Sequence, residues 1–290
     1  MKQPAVLLLI LLLSSGVVTA QETDAAKAAQ GSRTAKGGFQ NEDEIRDKFN
    51  NWKTDADARP WLEAMNHQIA EISTVSASKP HGEKADVEVT VKTKSGERVE
   101  RISIKLVSST NGFNQIDKRW LKTYAQMWKM PPDVVEALKL FVGETPPSES
   151  SRDKRRMYLD ELDENAQQAV LDFFKKYKDE IVSDLLAGDG IHAANWMMVV
   201  HRPNSVTRSV SEGEPTSKPK WVIRSSADAI KFYSEGPVEL TKAGNLKIGR
   251  ITMQRKGGDN GRETAKMLQF KINPVQLFDA KSRMAQGDAR

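Results

Sequence analysis

Residues 85–107 read ADVEVTVKTKSGERVERISIKLV, and this stretch decides the fold. Apolar side chains occupy every second position on both sides of a short polar break: Val87, Val89, Val91, Ile102, Ile104 and Leu106. Because side chains alternate between the two faces of a strand, the pattern predicts half-buried strands over residues 85–93 and 99–107. Ser95-Gly96 lies between them and predicts a two-residue hairpin loop.

The predicted loop determines which side chains face each other across the hairpin. With Ser95-Gly96 as the loop, Asp86 is expected opposite Lys105, and Glu88 opposite Ser103, all on the face without valine or isoleucine. A carboxylate beside an ammonium group on a polar strand face is typical of metal-dependent phosphodiesterases, in which the carboxylate holds Mg²⁺ and the lysine positions the attacking water. An ordinary cross-strand salt bridge is the alternative interpretation.

The spacing of apolar residues predicts most of the other elements. Predicted helices cover residues 41–52, a segment from Pro60 that carries Leu62, Met65, Ile69 and Ile72, and residues 114–129, 132–142 and 156–177. Predicted strands cover residues 194–202, 221–224, 248–255 and 267–272. The chain therefore mixes helices and strands along its whole length.

The most basic part of the chain lies near its C-terminus. Residues 242–271 hold eight lysines and arginines against two acidic residues, a local net charge of +6, whereas the whole chain carries +5. A basic segment on a nearly neutral remainder is typical of a protein that binds a polyanion, and nucleic acid is the first candidate. A solvated strand face is the alternative.

The composition excludes several classes of protein. A chain of 290 residues with 38% hydrophobic residues is long enough to bury a large core. The absence of cysteine excludes disulfide scaffolds, thiolate zinc sites and cysteine nucleophiles. The four histidines are far apart in the sequence, so a histidine-rich metal site is not expected. No apolar run reaches the roughly 20 residues that a membrane-spanning helix needs.

The N-terminus has the pattern of a secretory signal. Lys2 precedes the apolar run Ala5–Leu13, and small residues lead to a cleavage point before Gln21. A membrane anchor or a wrongly chosen start codon is the alternative for residues 1–20. Residues 21–38, rich in Ala, Gly, Ser, Thr and Lys, predict a flexible lead-in, and residues 280–290 predict a frayed tail.

Several longer segments resemble one enzyme family. They include RTAKGGFQNEDEIRDKFNNW (33–52), IKLVSSTNGFNQIDKRWL (104–121) and GRITMQRKGGDNGRETAKMLQFKINPVQLFD (249–279). With Asp86 ahead of Ser103-Ile104-Lys105, the chain resembles PD-(D/E)XK nucleases, and within them type II restriction endonucleases of the HinP type, in the MspI-like subgroup. The resemblance implies an α/β fold with a restriction-endonuclease-like core, a central mixed sheet flanked by helices, and a single domain over residues 39–279 with DNA-reading strands near 248–272.

The resemblance also implies an activity. Enzymes of this type cut the palindrome GCGC in double-stranded DNA between the first G and the C, with Mg²⁺, and work in the cytoplasm beside a cognate DNA methyltransferase. The signal-like N-terminus instead predicts export, and both a monomer and a dimer stay open. A non-specific secreted nuclease and a DNA-binding protein that has lost catalysis at Ser103 are the alternative functions.

The resemblance assigns roles to the residues of the predicted hairpin. Asp86 matches the metal-binding aspartate, Lys105 the catalytic lysine, and Glu42 a glutamate that braces the metal site from behind. The family has glutamine two residues before the lysine, where this chain has Ser103. From the predicted register we expect Glu88 to supply the missing ligand, so that Asp86, Glu42 and Glu88 form the metal site. A solvated strand carboxylate is the alternative for Glu88.

The basic C-terminal segment matches the part of the family that reads bases. Gln269 and Lys271 flank Phe270 and are expected to reach the major groove, where lysine pairs with guanine O6 and N7. Phe270 itself is expected in the core. The other expected DNA contacts are Arg255, Lys256, Asn260 and Arg262 near the glycine turn, and Asn114, Gln115 and Lys118 after the catalytic strand. The alternative for Asn114 is the N-cap of a helix.

Overall fold

The computed structural model describes residues 24–202, 219–257 and 262–279. The α-helices are α1 Asp24–Asn50, α2 Ala58–Ala64, α3 Leu121–Met127, α4 Pro132–Val142, α5 Glu164–Lys176, α6 Lys178–Leu186 and α7 Ser226–Ser234. The strands are β1 Ile72–Ser78, β2 Val87–Thr93, β3 Gly96–Val107, β4 Asn114–Arg119, β5 Trp196–His201, β6 Lys220–Ser225, β7 Val238–Leu240, β8 Leu246–Ile248, β9 Ile251–Arg255 and β10 Leu268–Ile272. In these described ranges no helix is long and apolar enough to cross a membrane.

The ten strands form two five-stranded sheets. The first sheet has the order β1-β2-β3-β5-β6, and it is mixed because β3 and β5 run parallel while its other neighbours are antiparallel. The second sheet has the order β4-β10-β9-β8-β7 and is antiparallel throughout. The mixed central sheet with flanking helices confirms the predicted fold class.

The predicted hairpin exists, but its predicted register is wrong by two residues. Thr93 pairs with Gly96, so the loop is Lys94-Ser95 and not Ser95-Gly96. Gly96 has φ +149°, a conformation that residues with a side chain rarely adopt, and Thr93 Oγ1 donates to the Gly96 carbonyl at 3.2 Å. Since the shift equals one strand period, every side chain keeps its predicted face but meets a different partner.

Each face of the first sheet packs against its own layer of helices. On one face, α1 and α2 cover the sheet, and the two layers form an apolar cluster. It includes Ile45, Phe49, Trp61 and Leu62 from the helices and Val87, Val89, Val91, Ile102, Ile104 and Met198 from the strands. The opposite side belongs to a second apolar cluster, which also holds side chains of α3–α7 and the inner face of the second sheet, formed by Leu246, Ile248, Ile251, Met253, Leu268, Phe270 and Ile272. The polar residues of the β2–β3 hairpin therefore lie where the two sheets approach each other.

Two of the predicted helices are partly strand. The helix from Pro60 ends at Ala64, because Asn66 has a left-handed backbone with φ +64°, and Ile72 begins β1. The helix predicted over residues 114–129 begins only at Leu121, because residues 114–119 form β4 and hydrogen-bond with β10. Asn114 is consequently a strand residue and not an N-cap.

Two other boundaries also differ from the prediction. The helix predicted over 156–177 starts at Glu164, where the side chain of Asp163 accepts the N–H of Ala166 at 2.9 Å and caps the first turn. The lead-in predicted as flexible over 21–38 is helical from Asp24 onward, in keeping with the high helix propensity of its alanines. Residues 1–20 and 280–290 lie outside the described ranges.

A buried carboxylate ties the far end of β3 to its neighbours. Glu100 is 1% exposed. Its Oε1 lies 2.8 Å from His67 Nε2 and 2.7 Å from an Arg98 guanidinium nitrogen, and its Oε2 accepts from Trp196 Nε1 at 2.6 Å and Asn195 Nδ2 at 3.1 Å. Burial alone would raise the pKa of Glu100, but the hydrogen bonds from His67 and Trp196 and the Arg98 charge hold that pKa below its usual value.

Replacing Glu100 by glutamine should destabilise the fold. Four donors converge on the two carboxylate oxygens, and a glutamine amide would turn its own N–H groups toward two of them. We expect Glu100→Gln to lower the free energy of unfolding at neutral pH by about 1–3 kcal/mol in urea titrations. Because the folded pKa of Glu100 is depressed, its contribution to stability is lost as the pH falls through that folded pKa, and the stabilities of the two proteins should then converge. A difference that is constant with pH would contradict this role.

Candidate functional site

Asp86 is held by the backbone of the adjacent strand. Its own N–H donates to the Ile102 carbonyl at 2.9 Å. Its carboxylate Oδ2 accepts the N–H of Ile104 at 2.6 Å and lies 3.4 Å from the hydroxyl of Ser103. The carboxylate therefore sits against β3 in one position, and a quarter of the side chain is exposed to solvent.

Lys105 completes a cluster of three side chains. Its Nζ lies 3.7 Å from Asp86 Oδ2, 3.2 Å from Ser103 Oγ and 3.0 Å from the Ile104 carbonyl oxygen. The observed register thus brings together Asp86, Ser103 and Lys105, which were predicted to share a face. Asp86 and Lys105 are not direct cross-strand partners as predicted, because the register differs by two residues. An acid, a hydroxyl and an ammonium group are nevertheless within hydrogen-bonding or ion-pairing reach of one another.

Glu42 on α1 approaches this cluster from another side. Its carboxylate forms an ion pair with Lys79 at 3.1 Å. Burial raises the pKa of Glu42, the Lys79 hydrogen bond opposes that rise, and the negative charge of Asp86 adds to it. Lys105 acts on the same carboxyl group in the opposite direction. The charges of Asp86 and Lys105 thus both act on the Glu42 carboxyl group, whose ion-pair partner Lys79 the sequence did not indicate.

Glu88 is placed differently from the prediction. It pairs with Arg101 across the hairpin and not with Ser103. Its Oε1 lies 3.1 Å from Arg101 Nε and 2.7 Å from His192 Nδ1. The register on which its predicted role as a metal ligand depended is wrong, and Glu88 instead anchors the loop that carries His192.

The donors around Asp86 suit a hard divalent cation. In the described part of the chain no three acidic or histidine side chains converge as a metal cage. The oxygens at hand are the Asp86 carboxylate, the Ser103 hydroxyl and the Ile104 carbonyl. Mg²⁺ prefers oxygen ligands, keeps several of its waters and commonly takes only one or two carboxylates. The residues present therefore fit Mg²⁺, and Asp86 would be its main protein ligand.

The second sheet carries a polar face. The cross-strand pairs that form it are Gln269 with Lys118 and Gln254, and Lys271 with Gln115 and Thr252. Gln269 is only 4% exposed, and its Nε2 is 3.5 Å from the Lys256 carbonyl. The predicted pairing of Gln269 and Lys271 on one strand face is thus present, with Lys271 the more open of the two.

Lys271 has no counter-charge among the described residues. Among the described residues no ion pair or hydrogen bond engages its side chain, and burial lowers the pKa of its ammonium group. Phe270, on the opposite face, is fully buried and meets Tyr124 and Trp128 edge-on at ring distances of 5.2 and 5.6 Å. The predicted core position of Phe270 is confirmed.

The remaining predicted DNA contacts fall into different environments. Arg255 points inward, since its Nε donates to the Val142 carbonyl at 2.8 Å. Arg262 is exposed, and Asn260 lies outside the described residues. Asn114 donates its side-chain amide to the Leu106 carbonyl at 2.9 Å, so it fastens the start of β4. Arg255 and Asn114 therefore have structural roles in this conformation.

Sequence reasoning missed Lys84, which lies two residues before Asp86. Its Nζ donates to the Ile116 carbonyl at 2.9 Å and lies 3.5 Å from Asp117 Oδ2. Burial lowers the pKa of Lys84 to about 8, Asp117 opposes that change, and the positive charge of Lys105 adds to it. The alternation that places Asp86 and Glu88 on one face, extended backward by one period, would have pointed to it.

Two comparisons connect this geometry to known proteins. A family model described as R.HinP1I restriction endonuclease matches residues 65–278. The crystal structure of restriction endonuclease MspI in complex with its cognate DNA matches with a TM-score of 0.51 and 14% sequence identity, covering 80% of this chain and 83% of that chain. No curated protein sequence matches. The family match includes the Asp86 cluster and the polar face of the second sheet, and the structural match concerns the fold.

Two adjacent residues of β10 should respond in opposite ways to mutation. Phe270→Ala should lower the free energy of unfolding by about 3–5 kcal/mol, because it opens a cavity between aromatic rings. Lys271→Met should leave the melting temperature unchanged or raise it, because it removes a half-buried charge that has no ion-pair partner in the described part of the chain. Thermal unfolding of both variants measures this, and equal losses would contradict the assignment of opposite faces.

Proposed function

Since the chain belongs to the R.HinP1I restriction endonuclease family and is thereby a type II site-specific deoxyribonuclease, we propose that it cuts double-stranded DNA at GCGC, between the first G and the C, with Mg²⁺. The observation that carries the proposal is the convergence of Asp86, Ser103 and Lys105 on one strand face. The net positive charge of residues 242–271 supports a DNA partner.

Asp86 would hold the metal ion through its carboxylate, with the Ser103 hydroxyl and the Ile104 carbonyl as further oxygens. When bound, Mg²⁺ supplies stabilisation of the negative charge that develops at the scissile phosphate. The hydrogen bond from the Ile104 N–H keeps the Asp86 carboxylate turned toward β3 before any ligand arrives. A carboxylate that is already fixed in this way needs little reorganisation on binding.

Lys105 acts on the water and the phosphate. Its ammonium group donates to a water that attacks phosphorus, and its charge stabilises the phosphoryl oxygens while the bond to the leaving sugar oxygen breaks. The water loses a proton to solvent, and the leaving oxygen takes up a proton from solvent. Ser103 Oγ, 3.2 Å from Lys105 Nζ, holds the ammonium group beside Asp86.

Lys271 reads guanine in the major groove. Its ammonium group is half-buried and has no counter-charge among the described residues. Guanine O6 and N7 would supply the hydrogen-bond acceptors that these residues do not provide. Gln269 lies on the same face and would need to exchange its long hydrogen bond with the Lys256 carbonyl for a base edge. A site made only of G·C pairs offers a guanine in every pair.

Lys256, Arg262 and Lys118 would contact phosphates and orient the duplex without reading its sequence.

A host that carries this enzyme in its cytoplasm would also need a methyltransferase that protects GCGC. Cleavage after residue 20 would place the enzyme outside the cytoplasm. N-terminal sequencing of the native protein distinguishes these compartments.

Digestion of a plasmid of known sequence tests the proposal. In the presence of Mg²⁺ we expect discrete fragments that end at GCGC, and no cutting after addition of EDTA. A smear would identify a non-specific nuclease, and a shifted but uncut band would identify a protein that only binds DNA. Both of these results would contradict the proposal.

Two substitutions should stop cutting without unfolding the protein. Asp86→Asn keeps an acceptor for the Ile104 N–H, and Lys105→Met keeps the aliphatic stem. We expect each to lower the single-turnover rate on a GCGC duplex by at least about 100-fold, since each removes a charge from the reacting centre. Glu97→Gln, an exposed carboxylate at the tip of the same hairpin, serves as the control and should cut normally. Near-normal cutting by Asp86→Asn or Lys105→Met would refute the assignment.

Base reading and phosphate contact should separate by mutation. Lys271→Met should cost about 1–3 kcal/mol of binding free energy on a GCGC duplex and much less on a scrambled duplex. Arg262→Ala should weaken binding to both duplexes alike and reduce the salt dependence of binding. Fluorescence anisotropy at two salt concentrations measures both effects. Equal losses on both duplexes for Lys271→Met would contradict its role as a base reader.

A further inference from the structure

Lys84 connects the two sheets at the point where the cluster meets the polar face. It lies two residues before Asp86, yet its hydrogen bond goes to the backbone of β4 in the second sheet, at the Ile116 carbonyl. Its side chain is 15% exposed, and its ion-pair partner Asp117 is 9% exposed. A lysine this enclosed forms fixed contacts and is not a mobile surface group.

The carbonyl that accepts this hydrogen bond belongs to a β-bulge. Phe270 pairs with Asp117, but the next residue, Lys271, pairs with Gln115. Ile116 is thus the extra residue of β4, unmatched in the ladder with β10. A bulge redirects the side chains beside it, and an extra residue needs hydrogen-bond partners outside the ladder. The lysine hydrogen bond therefore satisfies the bulge that lies directly beside the proposed base-reading side chain.

The other contacts hold Lys84 in one place. Asp117 also accepts from Tyr124 Oη at 2.7 Å and from Arg119 Nε at 3.0 Å, so it is fixed independently of the lysine. On the other side, Gly188 has φ +71°, and a Cβ atom there would come within 2.9 Å of the Lys84 Cβ. The backbone of the loop after α6 therefore packs directly on the stem of Lys84.

We propose that Lys84 is a positioning residue that couples the placement of Lys271 on its bulge to the placement of Asp86, so that a duplex which seats Lys271 correctly also sets the catalytic carboxylate. This inference rests on the proposed function. A displaced Lys271 would move the bulge at Ile116. This movement would reach Asp86 through the hydrogen bond from Lys84 to the Ile116 carbonyl and through the backbone from Lys84 to Asp86. Specificity then lies in the rate of cutting as well as in binding.

Lys84→Met tests the coupling, because methionine keeps the stem and removes the ammonium group. Lys92→Met is the control, since Lys92 is a half-exposed lysine of β2, the strand that follows Asp86, and its ion-pair partner among the described residues is Glu97 at 3.0 Å. On the cognate duplex we expect Lys84→Met to lower the single-turnover rate by about 100-fold with little change in Kd. The ratio of cognate to single-mismatch rates should narrow by about tenfold. Lys92→Met should match the wild type.

Hydrogen exchange without metal gives a readout that does not depend on cutting. Adding cognate duplex should slow the exchange of the amides of residues 86–88 as well as those of β10 in the wild type. In Lys84→Met, protection should persist at β10 and be lost at residues 86–88. A lysine that only stabilised the fold would change both regions alike.

The outcomes separate the two proposals. Equal losses of rate on cognate and mismatched duplexes, or unchanged protection at residues 86–88, would overturn the coupling while leaving the proposed function intact. If the wild type cuts no duplex, the proposed function fails, and the exchange experiment still decides the coupling. Should Lys84→Met fail to fold, Asp117→Asn removes the same ion pair and is expected to narrow discrimination. Undiminished discrimination in that variant would overturn the inference.

Discussion

The pairing of Thr93 with Gly96 is the constraint on which the site depends. It determines every cross-strand neighbour of the hairpin and so places the Asp86 carboxylate against the Ile104 N–H and the Ser103 hydroxyl. A shift by one residue would turn the cluster into the apolar layer under α1. The positive φ of Gly96 permits this pairing. The conformation of the turn therefore determines which side chains meet at the proposed active site.

The second sheet begins only seven residues after β3 ends, so the proposed sites of cutting and of base reading are parts of one structure. Asn114 fastens the start of β4 to the Leu106 carbonyl, and Lys84 fastens its bulge to the strand of Asp86. Within a close-packed interior, such links transmit small displacements instead of absorbing them. The distance between the proposed base-reading face and the proposed hydrolytic cluster is bridged by hydrogen bonds at Asn114 and Ile116 of β4.

Strand periodicity predicted the faces of the hairpin correctly, because alternation depends only on the local sequence. It could not predict the register, since Lys94-Ser95 and Ser95-Gly96 are both acceptable two-residue loops, and the error misplaced Glu88. The sequence pattern predicts a helix at residues 114–119 where the structure has a strand, because the pairing of that strand with β10, about 150 residues away, leaves no local signal. Strand alternation placed the cluster residues on one face and the resemblance to a family gave them roles, whereas the contacts of Lys84 with the second sheet depend on tertiary structure that alternation does not show.

We propose that Asp86, and not Glu88, holds the metal ion. Anomalous diffraction from crystals of the protein with a GCGC duplex and Mn²⁺ in place of Mg²⁺ tests it directly. We expect an anomalous peak at the Asp86 carboxylate, beside the Ser103 hydroxyl and the Ile104 carbonyl. An anomalous peak beside Glu88 and His192, with no metal at Asp86, would contradict the assignment of Asp86 as the metal ligand.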